Sequence, residues 1–253
     1  MRILVTNDDG IAAEGIFALA QVAAEFGDVA IVAPNYERSA CGHGLTMREP
    51  LRIKPIDGLP CRAWQTTGFP TDCVNLGRMV AWPDGVDLVL SGFNHGPNLG
   101  FDISYSGTVA AAMEGCINGI LSVAVSMAVF VEGAPLHLDS GRHWFAKVLA
   151  EILAMPSKPL RFWNVNIPAI AESEILGIRY CSMGQRVYPD RMEVREDPWG
   201  RPYYWQGGVA AMHEDQPDTD VNAIRDQFVS VTPITMNWTD QCSLSELAGP
   251  QTE

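Results

Sequence analysis

After Met1 the chain reads Arg2-Ile3-Leu4-Val5-Thr6-Asn7-Asp8-Asp9-Gly10, and this segment sets the fold class. Five residues dominated by aliphatic side chains make a short strand, and that strand runs into two carboxylates and a glycine. An amphipathic segment over residues 14–26 follows, then a second apolar strand over 29–33 closed by Pro34. The unit is strand, acidic loop, helix, strand. Working outward, strands are expected at 51–56 and 62–66, a helix at 71–82 behind Pro70, and a strand at 86–90. A helix at 108–118, a strand at 121–130, a helix at 141–155 and a strand at 162–167 continue the alternation. Strands separated by helices imply βαβ units, hence an α/β fold with a Rossmann-like, doubly wound, mostly parallel sheet.

The pattern changes after Pro168. Residues 175–187 are strand-like, and 192–195 and 203–206 flank the turn sequence Asp197-Pro198-Trp199-Gly200. One more strand is expected at 228–231. We therefore divide the chain into a metal- and phosphate-binding core, 1–170, and a β-rich C-terminal extension, 171–253, integrated with it. Trp199, Tyr203, Tyr204 and Trp205 suit either an arm that packs on a partner or an extension folded back on its own domain.

Composition narrows the function. The 253 residues are 47% hydrophobic and 19% charged, as in a globular protein with a sizeable core. Seventeen basic against thirty acidic side chains give a formal charge of -13, which argues against a nucleic-acid polymer as partner. The longest apolar run, 120–131, contains Ser122 and Ser126 and is too short to span a bilayer. Two acids by residue 9 leave no room for the apolar core of a signal peptide. Six scattered cysteines without a Cys-x-x-Cys pair fit reduced thiols and a cytoplasmic location better than a zinc site.

Three loops carry the candidate chemistry. Strand one ends in Asn7-Asp8-Asp9-Gly10 in place of Gly-x-Gly-x-x-Gly, and a carboxylate pair would repel a pyrophosphate. Placed at the carboxyl edge of a parallel sheet, the pair suits a hard divalent cation, although Asp-Asp-Gly also makes a good turn. The loop from Ser91 to Gly100 presents asparagine amides on a rigid Gly- and Pro-containing frame. Tyr105-Ser106-Gly107-Thr108 then opens a small-residue helix, and a helix start flanked by hydroxyls is either an anion site or a simple N-cap. The third loop, Asn35 to Gly44, adds the Ser39 hydroxyl for a metal and Arg38 or His43 for a substrate. A carboxylate pair and an anion-binding helix start at one sheet edge point to metal-assisted phosphate chemistry.

At this point the chain resembles the SurE family (survival protein E), metal-dependent nucleotide phosphatases. The resemblance is carried by Met1 to Gly10, Arg38-Ser39, Gly68-Phe69-Pro70-Thr71-Asp72-Cys73-Val74 and the run from Ser91 through Ala112. In the tail it rests on Asp218-Thr219-Asp220-Val221 and Val229-Ser230-Val231-Thr232-Pro233. It implies hydrolysis of nucleoside 5′- and 3′-monophosphates and, in some members, of short polyphosphate. It also implies one magnesium or manganese ion per subunit on Asp8, Asp9, Ser39 and Asn94, with Asp8 and Asp9 catalytic. Phosphate contacts fall on Asn98, Ser106, Gly107 and Thr108, and a metal-activated water is the expected nucleophile. Direct attack by Asp8 lacks the Asp-x-Asp-x-Thr context that such chemistry uses. Family members are homodimers or homotetramers built by exchanging the C-terminal arm. Glu14, His43, Thr235 and Asn237 depart from the family pattern. Two rivals stand beside this reading: a non-catalytic nucleotide or metal sensor, and a hydrolase of the glycosidic bond.

Overall fold

The computed structural model describes residues 1–131, 133–187, 191–207, 211–212 and 217–248. In chain order the elements begin with β1 (Arg2–Thr6), α1 (Glu14–Ala24), β2 (Asp28–Pro34), β3 (Ile53–Ile56), β4 (Arg62–Thr66) and α2 (Pro70–Val80). They continue with β5 (Leu88–His95), α3 (Gly107–Ile117), β6 (Leu121–Ala128), α4 (Leu138–Ala154) and β7 (Arg161–Pro168). The tail holds β8 (Gly177–Tyr180), β9 (Arg186–Val187), β10 (Arg191–Glu196), β11 (Pro202–Gly207), β12 (Ala211–Met212), α5 (Asp220–Arg225), β13 (Phe228–Thr235) and α6 (Gln241–Ala248).

The main sheet has the order β3-β4-β2-β1-β5-β6-β7-β13-β8. From β4 to β7 all neighbours run parallel, so the expected doubly wound α/β sheet is present. Alternation along β1 shows how the layers form. Ile3 and Val5 enter the apolar cluster with Ile16, Leu19, Phe145 and Leu149 of α1 and α4, while Leu4 faces Cys73, Val74 and Ala111 of α2 and α3. A strand apolar on both faces must be covered twice, and helices on both sides do so. β1 sits between β2 and β5, where chain progression reverses direction across the sheet. A ligand in such a sheet binds at that reversal, beyond the carboxyl strand ends.

Two sequence expectations change. The strand expected at 86–90 extends to His95, so Asn94 lies on a strand end and not in a free loop. Pairing with β6 shifts between Ser91 and Asn94 and then resumes as Asn94↔Ser126 and His95↔Met127. Gly92 makes the irregularity feasible: its φ is +134° and a Cβ there would stand 2.0 Å from the Val125 carbonyl oxygen. Burial of Phe93 against Phe145, with ring centroids 5.6 Å apart, holds the extension in place.

The strand-like run 175–187 is divided into β8, an isolated bridge from Ser182 to Thr219, and β9. The tail also contains helices α5 and α6. α5 has six residues, too short for a periodic signal, and Thr219 caps it by accepting from the Asn222 N–H. β13 enters the main sheet antiparallel to β7 and parallel to β8. β10 and β11 pair as the expected hairpin across the Asp197–Gly200 turn.

Candidate active site

The carboxyl ends of β1 and β5, the loop after β2 and the start of α3 converge. Asp8 is 4% exposed. Its carboxylate accepts from the Thr108 N–H at 3.1 Å and from the Thr108 hydroxyl, and the Gly107 N–H adds to the same group. Gly107 permits this approach, because a Cβ at that position would lie 2.9 Å from the Asp8 Cβ and 2.7 Å from the Cys41 Sγ. The Arg38 N–H donates to the Asp8 carbonyl at 2.7 Å and so binds the third loop to the first. Asn7 braces the turn by donating from Nδ2 to the Gly10 carbonyl at 2.9 Å.

Asp9 accepts from the His95 N–H at 3.2 Å. Burial first, and then the Asp8 charge beside it, push its carboxyl up to about 7. Asp8 is also pushed up by burial, against the Thr108 and Gly107 hydrogen bonds that favour its ionised form. Neither carboxylate has an ion-pair partner among the described residues. Asn94 donates from Nδ2 to the Gly96 carbonyl at 2.8 Å, and its Oδ1 lies 3.4 Å from the Thr108 hydroxyl. Thr108 therefore links Asp8 to Asn94.

The helix start already holds one anion of the protein's own. Its Gly107 and Thr108 donors face Asp8 itself. Ser106 is the N-cap of α3, its hydroxyl oxygen accepting from the Val109 N–H at 3.1 Å, which leaves the hydroxyl proton available to donate elsewhere. Ser39 is exposed and donates to Glu37 at 2.6 Å. It lines a cleft of about 340 Å³ together with Asp9, Glu37, His95 and residues 129–131. Asn98 is tied elsewhere. Its N–H donates to Asn166, its amide to Ser126, and its carbonyl accepts from Asn164 and Asn166. No hydrogen bond joins Asn98 to the Asp8–Thr108 group among the described residues.

The donor set tests whether a cation fits. Two carboxylates, the Asn94 amide oxygen and the Ser39 hydroxyl are all oxygen, as magnesium or manganese prefers. Two like charges, one buried and one half-buried, without a protein counter-charge among the described residues are the electrostatic condition that a divalent cation relieves. Among the described residues no group of three or more His, Cys, Asp or Glu gathers to hold a metal, so the amide and hydroxyl are needed to complete the set.

Of the departures, Glu14 stands exposed in the first turn of α1, and His43 pairs with Glu114 of α3 at 3.1 Å. Asn237 donates its N–H to the Thr235 hydroxyl in a local turn after β13. Three contributors were not singled out from sequence: the His95 main chain, Glu37 and Asp220. Asp220 accepts from the N–H groups of Gly100, Gly184 and Val221 and so pins the segment after Asn98 to the tail. Its signal was present in the 218–221 stretch, where an acid opens a helix.

A family model described as Survival protein SurE matches residues 3–190. The chain belongs to the SurE family. Among SurE relatives, a protein named 5′-nucleotidase SurE from Synechococcus elongatus is 44% identical over 258 residues, 98% of each chain. One of the same name from Gemmatimonas aurantiaca is 44% identical over 240 residues, 94% of each chain. The crystal structure of SurE from Aquifex aeolicus superposes with a TM-score of 0.81 at 36% identity, covering 98% of this chain and all of that one.

Proposed function

We propose that this chain is a 5′-nucleotidase, a phosphoric monoester hydrolase that converts nucleoside 5′-monophosphates to nucleoside and phosphate. The observation that carries the reading is the pair of carboxylates without a protein counter-charge, buried Asp8 and half-buried Asp9, beside a cleft large enough for a small molecule. Family membership and the names of the relatives support the same activity. The family resemblance extends the proposal to 3′ esters and short polyphosphate.

Asp8, Asp9, Asn94 and Ser39 would hold one magnesium or manganese ion. Bound there, it supplies charge neutralisation and Lewis acidity toward a phosphate oxygen and an attacking water. The residues of the chain do the rest. Thr108 fixes the orientation of Asp8 and keeps Asn94 next to it, so the ligand set is preorganised. The α3 N-terminus places partial positive charge behind the carboxylates. Ser106 has a hydroxyl proton to donate to a phosphate oxygen, and Gly107 keeps the helix start close enough for it to do so. Asn98 acts from behind, holding the loop on Asn164, Asn166 and Ser126. Asp8 itself is a poor nucleophile, being buried and hydrogen-bonded on both oxygens, which favours water as the attacking group.

We also propose that residues 1–170 form the catalytic core and 171–253 an integrated extension through which copies pair as a dimer or tetramer. The exposed Met192, Val194, Trp199, Tyr204 and Trp205 of the hairpin support that role. A cytoplasmic site fits six free thiols, and no helix among the described residues is long and apolar enough to cross a membrane.

Product analysis with AMP tests the function. Inorganic phosphate with intact adenosine is expected, lost on chelation and restored by magnesium or manganese. Free adenine would establish the glycosidic hydrolase, and nucleotide binding without any product would establish the sensor.

A further inference from the structure

The cleft has two unlike walls. Asp9, Glu37, Ser39 and His95 make one side polar, and Val129, Phe130 and Val131 make the other apolar. Val129 packs against the core, while Phe130 and Val131, beyond the carboxyl end of β6, stand 50% and 69% exposed. A phosphate group gains nothing from such a wall. A flat aromatic ring joined to that phosphate gains a great deal, through stacking and removal of apolar surface from water.

Register sets the distance. Met127 of β6 lies level with His95 of β5, whose N–H holds Asp9. Phe130 is three residues further along, at most roughly 10 Å beyond that level at ~3.3 Å per residue. The Val129 N–H turns back to the Met127 carbonyl at 2.8 Å, which shortens the span. One sugar separates a 5′-phosphate from its base, and this interval suits it.

Resting on the nucleotidase reading of the site, we infer that Phe130, flanked by Val129 and Val131, is the platform on which the nucleobase of the substrate stacks. Residues 129–131 have no polar side chain with which to read the hydrogen-bonding edge of a base. Stacking is tolerant of base identity because every base has a π-face. The platform therefore selects for the presence of a base and ranks bases only by stacking area, so purine and pyrimidine nucleotides are both substrates, purines modestly preferred.

The experiment compares AMP with ribose 5-phosphate, which carries the same ester without a base, in wild type, F130A, F130L and F130W. Wild type should favour AMP in kcat/KM by roughly tenfold or more. F130A should bring that ratio close to one by raising KM for AMP with little change in kcat, F130L should lie between, and F130W should restore the preference. A preference for AMP that survives in both F130A and F130L overturns the inference and leaves the nucleotidase reading intact. So does a wild type that cleaves both esters equally well. Failure of wild type to release phosphate from either ester instead refutes the nucleotidase reading, and the inference falls with it.

Discussion

The segment joining β5 to α3 is tied at each end to a buried aspartate, and the two ends are built on different terms. At the far side Asp220 receives three main-chain N–H groups from three separate stretches, at 2.9, 2.7 and 2.8 Å. At the near side Asp8 receives its donors from a single helix start and has a second carboxylate, Asp9, beside it. Burial pushes both acids upward, against hydrogen bonds that favour the charge. Asp220 closes its hydrogen bonding within the protein and fastens tail to loop. The Asp8 end leaves like charges unbalanced, the condition that the proposed cation would relieve. A buried carboxylate is thus structural or functional according to whether the fold itself answers its charge.

Asp8 and Asp9 should give the largest effects. Asp8→Asn and Asp9→Asn should each lower phosphate release by about 10³-fold or more, with partial rescue at high magnesium or manganese. The fold should survive both changes, because removing one charge relieves repulsion. In metal-free protein the folded-state value of Asp9, about 7, lies above that of an unfolded carboxylate. Its contribution to stability is therefore present below pH ~4 and lost as pH rises through about 7, and Asp9→Asn should flatten that part of a melting-temperature profile. Full activity of either variant after exhaustive chelation would end the metal assignment.

Next comes the other end. Asp220→Ala leaves three N–H groups without their acceptor, and urea unfolding should show a loss of about 3 kcal/mol. Activity per folded molecule should fall far less than in Asp8→Asn. Stability unchanged with activity abolished would reverse the roles assigned to the two acids.

Thr108→Val sharpens the near side by removing the hydroxyl that joins Asp8 to Asn94. We expect kcat/KM to drop by about ten- to a hundredfold, the worth of a hydrogen bond to a charged group, ~1.5–3 kcal/mol. Weakened metal binding should accompany it in a calorimetric titration. Unchanged kinetics would reduce Thr108 to a helix-start residue.

The smallest effect on turnover should follow deletion of residues 196–206 from the hairpin, which lies outside both anchors. Its readout is particle mass. Light scattering should report a smaller oligomer than the parent, and an unchanged multiple would rule against pairing through the arm.

The parallel core was legible in the sequence because β1, β2, β5, β6 and β7 are buried on both faces and read as apolar runs. The site loops were legible because acids, asparagines and glycines at strand ends are conspicuous against those runs. Contacts made by main-chain groups were not legible. Nothing in the letters says that the Gly107 and Thr108 N–H groups meet Asp8, that Asn98 faces Asn164 and Asn166, or that Gly100 meets Asp220 across the fold. Those pairings depend on how strand ends are juxtaposed in three dimensions. The tail was poorly legible for another reason: its elements are short, and β8 and β13 are defined by the strands they join more than by their own periodicity.

The place of β13 has a consequence for synthesis on the ribosome. β7 acquires its second neighbour only when residues 228–235 have been made, well after β7 itself. At roughly 5–20 residues per second, the nascent chain carries an unpaired sheet edge for on the order of 3–12 seconds. An apolar open edge is a template for pairing with another chain. A stall or premature stop before residue 228 therefore yields a polypeptide with every proposed metal ligand in place and no strand to cover the β7 edge.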